Sequence, residues 1–148
     1  MSTLRRIQRD TSHEEFVKEL TSGDKPLFRE IWRLLLLAAA IGVRDGVRVP
    51  LSSMDSGKAM PETYFSAPAW RGFLYLIAIS DSGDSTCLHA SPENQDRLVT
   101  AFEEYANHGL KVLRERVSSS VTPLDDLASF VLEASQAQIP KAKIDDLI

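Results

Sequence analysis

The 148-residue chain has the length of one ordinary globular domain. Hydrophobic residues make up 43% of it and charged residues 26%, as is typical of folded soluble proteins. Its single cysteine excludes an intramolecular disulfide framework, and its longest apolar run, residues 34–43, is far shorter than the roughly 20 residues of a membrane span. These features predict one cytoplasmic domain over residues 1–148 without membrane association, in which the ends, residues 1–11 and 137–148, are candidates for flexibility.

Two helices are predicted in the first third of the chain. Ser12 and Glu15 have the spacing of a capping box, which indicates the start of a short helix that ends at Gly23. The second helix is expected from about residue 25 to residue 41, because Asp24 can cap it and apolar residues then recur at helical spacing.

The middle of the chain is less regular. Residues 43–51 alternate apolar and charged side chains, which suits a small hairpin or an extended arm. Residues 52–65 are predicted to form a long exposed loop. The apolar run at residues 69–79 fits either a buried helix or a buried strand, and we favour the helix because its neighbours are helical.

Two further helices complete the predicted fold. The longest runs from about residue 91 to residue 117, where Gly109 interrupts the apolar stripe and indicates a close helix contact or a bend. A last helix is expected over residues 122–136. The predicted fold class is therefore all-α, a compact bundle of about five helices with room for one small β-hairpin.

The sequence offers no complete catalytic, cofactor or metal site. Cys87 and His89 supply two of the roughly four ligands that a structural zinc ion needs. Residues 81–84 lack the acidic spacing of a calcium loop and indicate a solvated turn. Glu103 and Glu104 point about 100° apart on a helix, so they cannot easily serve one substrate. We therefore predict a protein that is not an enzyme, with no catalytic residue, cofactor or metal.

Arginines of the N-terminal part are the candidate nucleic-acid-binding residues. Residues 1–48 contain nine Lys and Arg against seven Asp and Glu, whereas the remaining hundred contain eight against fourteen. The guanidinium fork suits phosphate, so convergence of these side chains would create a face for the DNA backbone. The alternative is that they are solvated charges paired with nearby acids. The candidates are Arg5, Arg6, Arg9, Arg29, Arg33, Arg44 and Arg48.

Tyr64 and Phe65 are the candidate partner-binding residues. Most aromatic side chains in a domain of this size belong to the core. These two fall in the predicted exposed loop, where large aromatics would need another surface to bury them.

Residues 36–44 (LLAAAIGVR), leading to residues 48–51 (RVPL), and residues 103–113 (EEYANHGLKVL) resemble the small proteins associated with DNA phosphorothioation (Dnd) systems. Such proteins are encoded beside bacterial DNA sulfur-modification and restriction genes, which act in defence against foreign DNA. The resemblance implies a role and a setting, and it transfers no catalytic residue to this chain.

The expected function is that of a non-enzymatic accessory or adaptor protein in a phosphorothioation-linked restriction and antiviral defence system. Its expected partner is a larger protein of that system, with the DNA backbone as a further candidate contact. The alternative is a stand-alone DNA-binding regulatory protein that uses its arginine-rich face. The oligomeric state is left open by the sequence.

Overall fold

The computed structural model describes residues 4–117 and 121–138. Over these residues it contains five α-helices and no strand, which confirms the predicted all-α bundle. None of these helices is both long enough and apolar enough to cross a membrane. The helices are α1 (Glu14–Thr21), α2 (Ile31–Asp45), α3 (Trp70–Ser82), α4 (Pro92–Val117) and α5 (Pro123–Gln138).

The bundle is organised around the crossing of α2 and α4, where the two backbones touch. A Cβ atom added to Gly42 would lie 2.2 Å from the carbonyl oxygen of Tyr105, and one added to Gly109 would lie 1.7 Å from that of Ala38. Each helix thus presents two residues four apart, on one face, to the other backbone. The sequence predicted either a close helix contact or a bend at Gly109, and the structure has the close contact.

The core follows from this crossing. Leu34 and Leu35 of α2 and Phe102 and Leu110 of α4 are almost fully buried. Phe65 stacks on Trp70 at the start of α3, with ring centroids 4.1 Å apart. Because Trp70 meets the Phe102 ring edge-on at 5.1 Å, this aromatic cluster fixes α3 against α4, and the helical interpretation of residues 69–79 holds.

The predicted start of α2 is wrong by six residues. Residues 25–30 are irregular, and the backbone amide of Phe28 donates to the carbonyl oxygen of Leu20, 3.0 Å away. Phe28 and Leu27 pack against the core from this loop. Tertiary contact with the end of α1 therefore overrides the capping signal of Asp24.

The capping box at the first helix is also wrong. The carboxylate of Asp10 accepts from the backbone amide of Ser12, 3.0 Å away, and opens a single 3₁₀ turn, Thr11–His13. Helix α1 then begins at Glu14 without a side-chain cap. Asp10 thus caps the 3₁₀ turn, and no side chain caps α1 itself.

The hairpin predicted at residues 43–51 is not formed. Helix α2 continues to Asp45 and ends at Gly46, which adopts the left-handed conformation with φ 66°. Residues 47–51 then run without a strand partner, and Val49 donates to the carbonyl oxygen of Glu104, 3.1 Å away.

The extended N-terminal segment pairs instead with the predicted loop at residues 52–65. Ile7 and Met60 form an isolated antiparallel bridge through two hydrogen bonds of 2.9 Å. Leu4 and Ile7 are 4% and 1% exposed, so these two side chains pack into the core, whereas Arg5 and Arg6 between them are exposed. At the other candidate flexible end, α5 extends to Gln138, and residues 139–148 lie outside the described residues.

Candidate partner-binding groove

Five of the seven candidate arginines form ion pairs within the chain. Arg5 holds Glu103 at 2.9 Å, and Arg48 holds Asp81 at 2.7 Å and Glu104 at 3.1 Å. The remaining pairs are Arg9 with Glu14, Arg33 with Glu30, and Arg44 with Asp45. Most of the predicted basic face is therefore neutralised by the chain's own acids.

Arg6 and Arg29 are exposed and form no ion pair within the described part of the chain. Arg6 belongs to the N-terminal segment. Arg29 lies in the irregular loop before α2, where it shares a groove with Arg33. Of the seven candidates, Arg29 and Arg33 are the two that line this groove.

The groove is open and has a volume of about 470 Å³. Apolar side chains make its floor, and the two arginines lie on its rim. The guanidinium of Arg33 sits 5.0 Å from the centre of the Trp32 ring and 3.4 Å from Glu30. None of the six described lining residues is acidic. They are Leu27, Phe28, Arg29, Trp32, Arg33 and Leu36.

The groove suits an acidic amphipathic protein segment better than a nucleic acid. Trp32 is only 8% exposed, and its indole nitrogen donates to Glu30, so its ring offers little face for a base to stack on. Two arginines can contact only a few phosphates, and the net charge of the chain is −4. An apolar floor with a cationic rim favours apolar side chains flanked by carboxylates.

Of four other clefts among the described residues, three mix both signs of charge, and the fourth, between α2 and α5, contains only Arg44, which is paired with Asp45. The cleft between α3 and α4, of about 230 Å³, includes the paired Arg48 and Asp81 together with Asp96 and Arg97. Their charges cancel locally, so this cleft has no comparable preference for an acidic ligand.

Tyr64 and Phe65 do not form an exposed pair. Tyr64 is 59% exposed on the 3₁₀ turn Glu62–Tyr64, whereas Phe65 is 5% exposed in the aromatic core. The assignment of Phe65 to a partner surface is therefore wrong, because the Trp70 ring already covers it. For Tyr64 the assignment stays a prediction.

Polar side chains on α4, including Glu103, which was weighed and set aside as a catalytic candidate, hold the connecting segments in place. The carboxylate of Glu103, 6% exposed, accepts from Arg5 and from the backbone amide of Gln8. The hydroxyl of Tyr105 donates to Asp81, 2.8 Å away. The run EEYANH at residues 103–108 was the available signal, since charged and amide residues there interrupt an otherwise apolar helix face.

His13 and Asn107 form a buried polar pair whose proton positions follow from the contacts. The amide nitrogen of Asn107 donates to the carbonyl oxygen of Val49, 3.0 Å away, so its side-chain oxygen is the acceptor for Nε2 of His13 at 2.9 Å. Nδ1 of His13 is then an unprotonated nitrogen, buried without a partner. Burial lowers the pKa of His13 below its ordinary value, and the charge of Arg114 lowers it further.

The buried state of His13 predicts a pH dependence of stability. The unfolded chain takes up a proton near pH 6.5 that the folded chain resists, so the free energy of unfolding should fall as the pH drops below about 6.5, by at most about 1.4 kcal/mol per pH unit. Asp10 also has a lowered pKa, because the hydrogen bonds that it accepts from Ser12 and Ser52 outweigh the effect of its burial. Its protonation affects the free energy of unfolding only at about pH 4 and below.

Urea unfolding between about pH 5 and about pH 7 checks this expectation. His13→Gln should flatten the slope, whereas the control His89→Gln, at an exposed histidine, should retain it. Equal slopes in the His13→Gln variant and the unmodified protein would contradict the assignment.

Cys87 is half-buried and His89 exposed, in the segment around the 3₁₀ turn Ser85–Leu88. Within residues 4–117 and 121–138, no cluster of three or more His, Cys, Asp or Glu could hold a metal ion. That this pair binds no metal stays a prediction.

Comparison with known proteins gives one family. The family described as "DNA sulphur modification system-associated protein 4" matches residues 6–148, nearly the whole chain. No curated protein and no solved structure matches the chain.

Proposed function

Since the chain belongs to the family of DNA sulphur modification system-associated protein 4, we propose that it is a non-enzymatic accessory protein of such a system. In this proposal it binds a larger protein of the system through the groove between residues 27 and 36. The partner contributes an acidic amphipathic segment. Through that contact the chain serves restriction and antiviral defence.

The groove itself carries the proposal. It combines an apolar floor with the unpaired Arg29 and with Arg33, whose exposed ion pair with Glu30 at 3.4 Å is weak, in a chain whose overall charge is negative. Arginine is enriched among the residues that dominate binding energy at protein interfaces. A cationic rim also speeds the encounter with an acidic partner and rejects basic ones.

The alternative, a stand-alone DNA-binding regulator, has less support. It needs several unpaired cations on one face, yet five of the seven candidate arginines hold acids of the same chain. A duplex-binding surface of the remaining two would gain little from counterion release.

Charge reversal in the groove tests the proposal. Arg29→Glu/Arg33→Glu should weaken binding to the partner protein of the sulphur modification system at least about tenfold, because the acidic segment would meet like charges. Binding is measured with the purified chain against each purified protein of the system, and separately against short DNA duplexes at physiological salt.

Arg6→Glu/Arg97→Glu is the matched control, since it changes the net charge equally at two exposed arginines outside the groove. It should leave partner binding within about twofold. Circular dichroism first establishes that both variants are folded. Tight, salt-sensitive binding to unrelated duplexes that only the groove variant abolishes would overturn the proposal in favour of the DNA-binding alternative.

A further inference from the structure

Helix α5 carries an apolar face that its own chain leaves uncovered. Leu124, Val131 and Leu132 are 64%, 42% and 61% exposed. Their spacing of seven and eight residues places them on one side of the helix. Leu127, which borders this side, packs against the core, and Phe130 is buried roughly opposite Leu132. The apolar surface of the helix is thus wide, and the side that carries Leu124 and Leu132 is not covered by the described part of the chain.

The exposed face of α5 is acidic at its edge. Pro123–Gln138 contains Asp125, Asp126 and Glu133 and no Lys or Arg. Asp125 is exposed, and Glu133, whose side chain is 63% exposed, contacts only the similarly exposed Arg116 among its described ion pairs. Ion pairs between such exposed side chains are weak, so both carboxylates can turn to another partner.

The outer face of α5 and the groove between residues 27 and 36 are therefore complementary in both apolar surface and charge. One is an apolar stripe with carboxylates at its edge, and the other is an apolar floor with arginines on its rim. The inner face of α5 packs against α4 and the second half of α2, where Arg116 and Arg44 each lie 5.3 Å from the Phe130 ring. Because Leu124 and Leu132 remain exposed, they do not fill the groove of their own chain, and a groove that receives them belongs to another molecule.

We propose that the groove is filled by the outer face of α5 from a second copy of this chain. The contact is reciprocal, so that a two-fold dimer buries both grooves and both α5 faces. This inference rests on the proposed function, because it concerns the same groove. It adds a regulatory consequence: the larger partner and the second copy exclude each other, and partner binding requires the dimer to open.

Sedimentation equilibrium over a concentration series tests the dimer with the full chain. The mass should rise from one chain to two. Leu124→Asp/Leu132→Asp should raise the dissociation constant at least about tenfold, as should Arg29→Glu/Arg33→Glu. Leu76→Asp/Ile79→Asp, at exposed apolar residues of α3 (66% and 38%), is the matched control and should change it less than about twofold.

Exchanging the charges of the α5 face and the groove tests whether these two surfaces face each other in the dimer. Asp125→Arg/Glu133→Arg combined with Arg29→Glu/Arg33→Glu should restore much of the dimerisation that each pair alone weakens, because the two surfaces then attract with reversed sign. A failure to restore it, an equal loss in the α3 control, or masses beyond two chains would overturn the reciprocal contact.

The two proposals fail differently. Leu124→Asp/Leu132→Asp should abolish dimerisation while binding to the larger partner persists or strengthens, since the groove is intact and unoccupied. If the unmodified protein is monomeric but binds its partner through Arg29 and Arg33, the dimer proposal is overturned and the proposed function is supported. If the dimer forms as expected but the chain binds no protein of the system, the proposed function is overturned and the dimer proposal is supported.

Discussion

Gly109→Ala is expected to lower the free energy of unfolding by about 3 kcal/mol, even though alanine is the better helix former. The added Cβ would lie 1.7 Å from the carbonyl oxygen of Ala38 and 2.4 Å from its carbonyl carbon. Both atoms belong to the backbone of α2, which cannot move aside as a side chain would. The helices must therefore separate, and the contacts around the crossing loosen with them.

Urea unfolding of Gly109→Ala and Gly72→Ala provides the comparison. Gly72 also lies within a helix, but a Cβ built there meets nothing within 4 Å. Gly72→Ala should therefore raise the free energy of unfolding by up to about 1 kcal/mol. If Gly109→Ala also raised the free energy of unfolding, helix propensity rather than the close approach of α2 and α4 would decide the outcome at residue 109.

Leu35→Asp is expected to cost about 4 kcal/mol or more, a large part of the stability of an ordinary domain. Leu35 is 2% exposed on the face of α2 that meets the core. The substitution removes the packing of a leucine and buries a carboxylate without a cation to pair with.

Thermal unfolding followed by circular dichroism measures this effect. Leu76→Asp makes the same chemical change on α3 at a side chain that is 66% exposed, and it should alter stability by no more than about 0.5 kcal/mol. A midpoint for Leu35→Asp within about 2 °C of the unmodified protein would mean that Leu35 does not belong to the core.

The stretches that carry the family resemblance lie on the two sides of the α2–α4 crossing. Gly42 and Ala38 belong to the first, and Tyr105 and Gly109 to the second. These residues are required by the close approach of two backbones and by the anchoring of connecting segments. Apart from Leu36, the residues of these stretches lie outside the proposed groove.

The helices were predictable because helical periodicity is a local property. Apolar side chains at spacings of three and four residues identify α2, α4 and α5 without knowledge of their partners. Gly109 could likewise be recognised as exceptional, because glycine in the middle of a long amphipathic helix has a cost that a close contact explains.

Long-range contacts decided the rest. The start of α2 at Ile31 depends on the bond between Phe28 and Leu20, and the N-terminal segment is ordered by pairing with Met60. Phe65 is buried because Trp70 and Phe102 surround it, although its loop is polar in sequence.

The candidate site shows the same division between sequence and tertiary structure. Its arginines were visible in the sequence, but only the fold determined which of them carry unpaired charge. Arg5 and Glu103 are 98 residues apart in the chain yet form an ion pair, whereas Arg29 remains exposed beside an apolar floor. A residue's charge is fixed by its chemistry, but whether that charge is free for a partner depends on which acids the folded chain brings within reach.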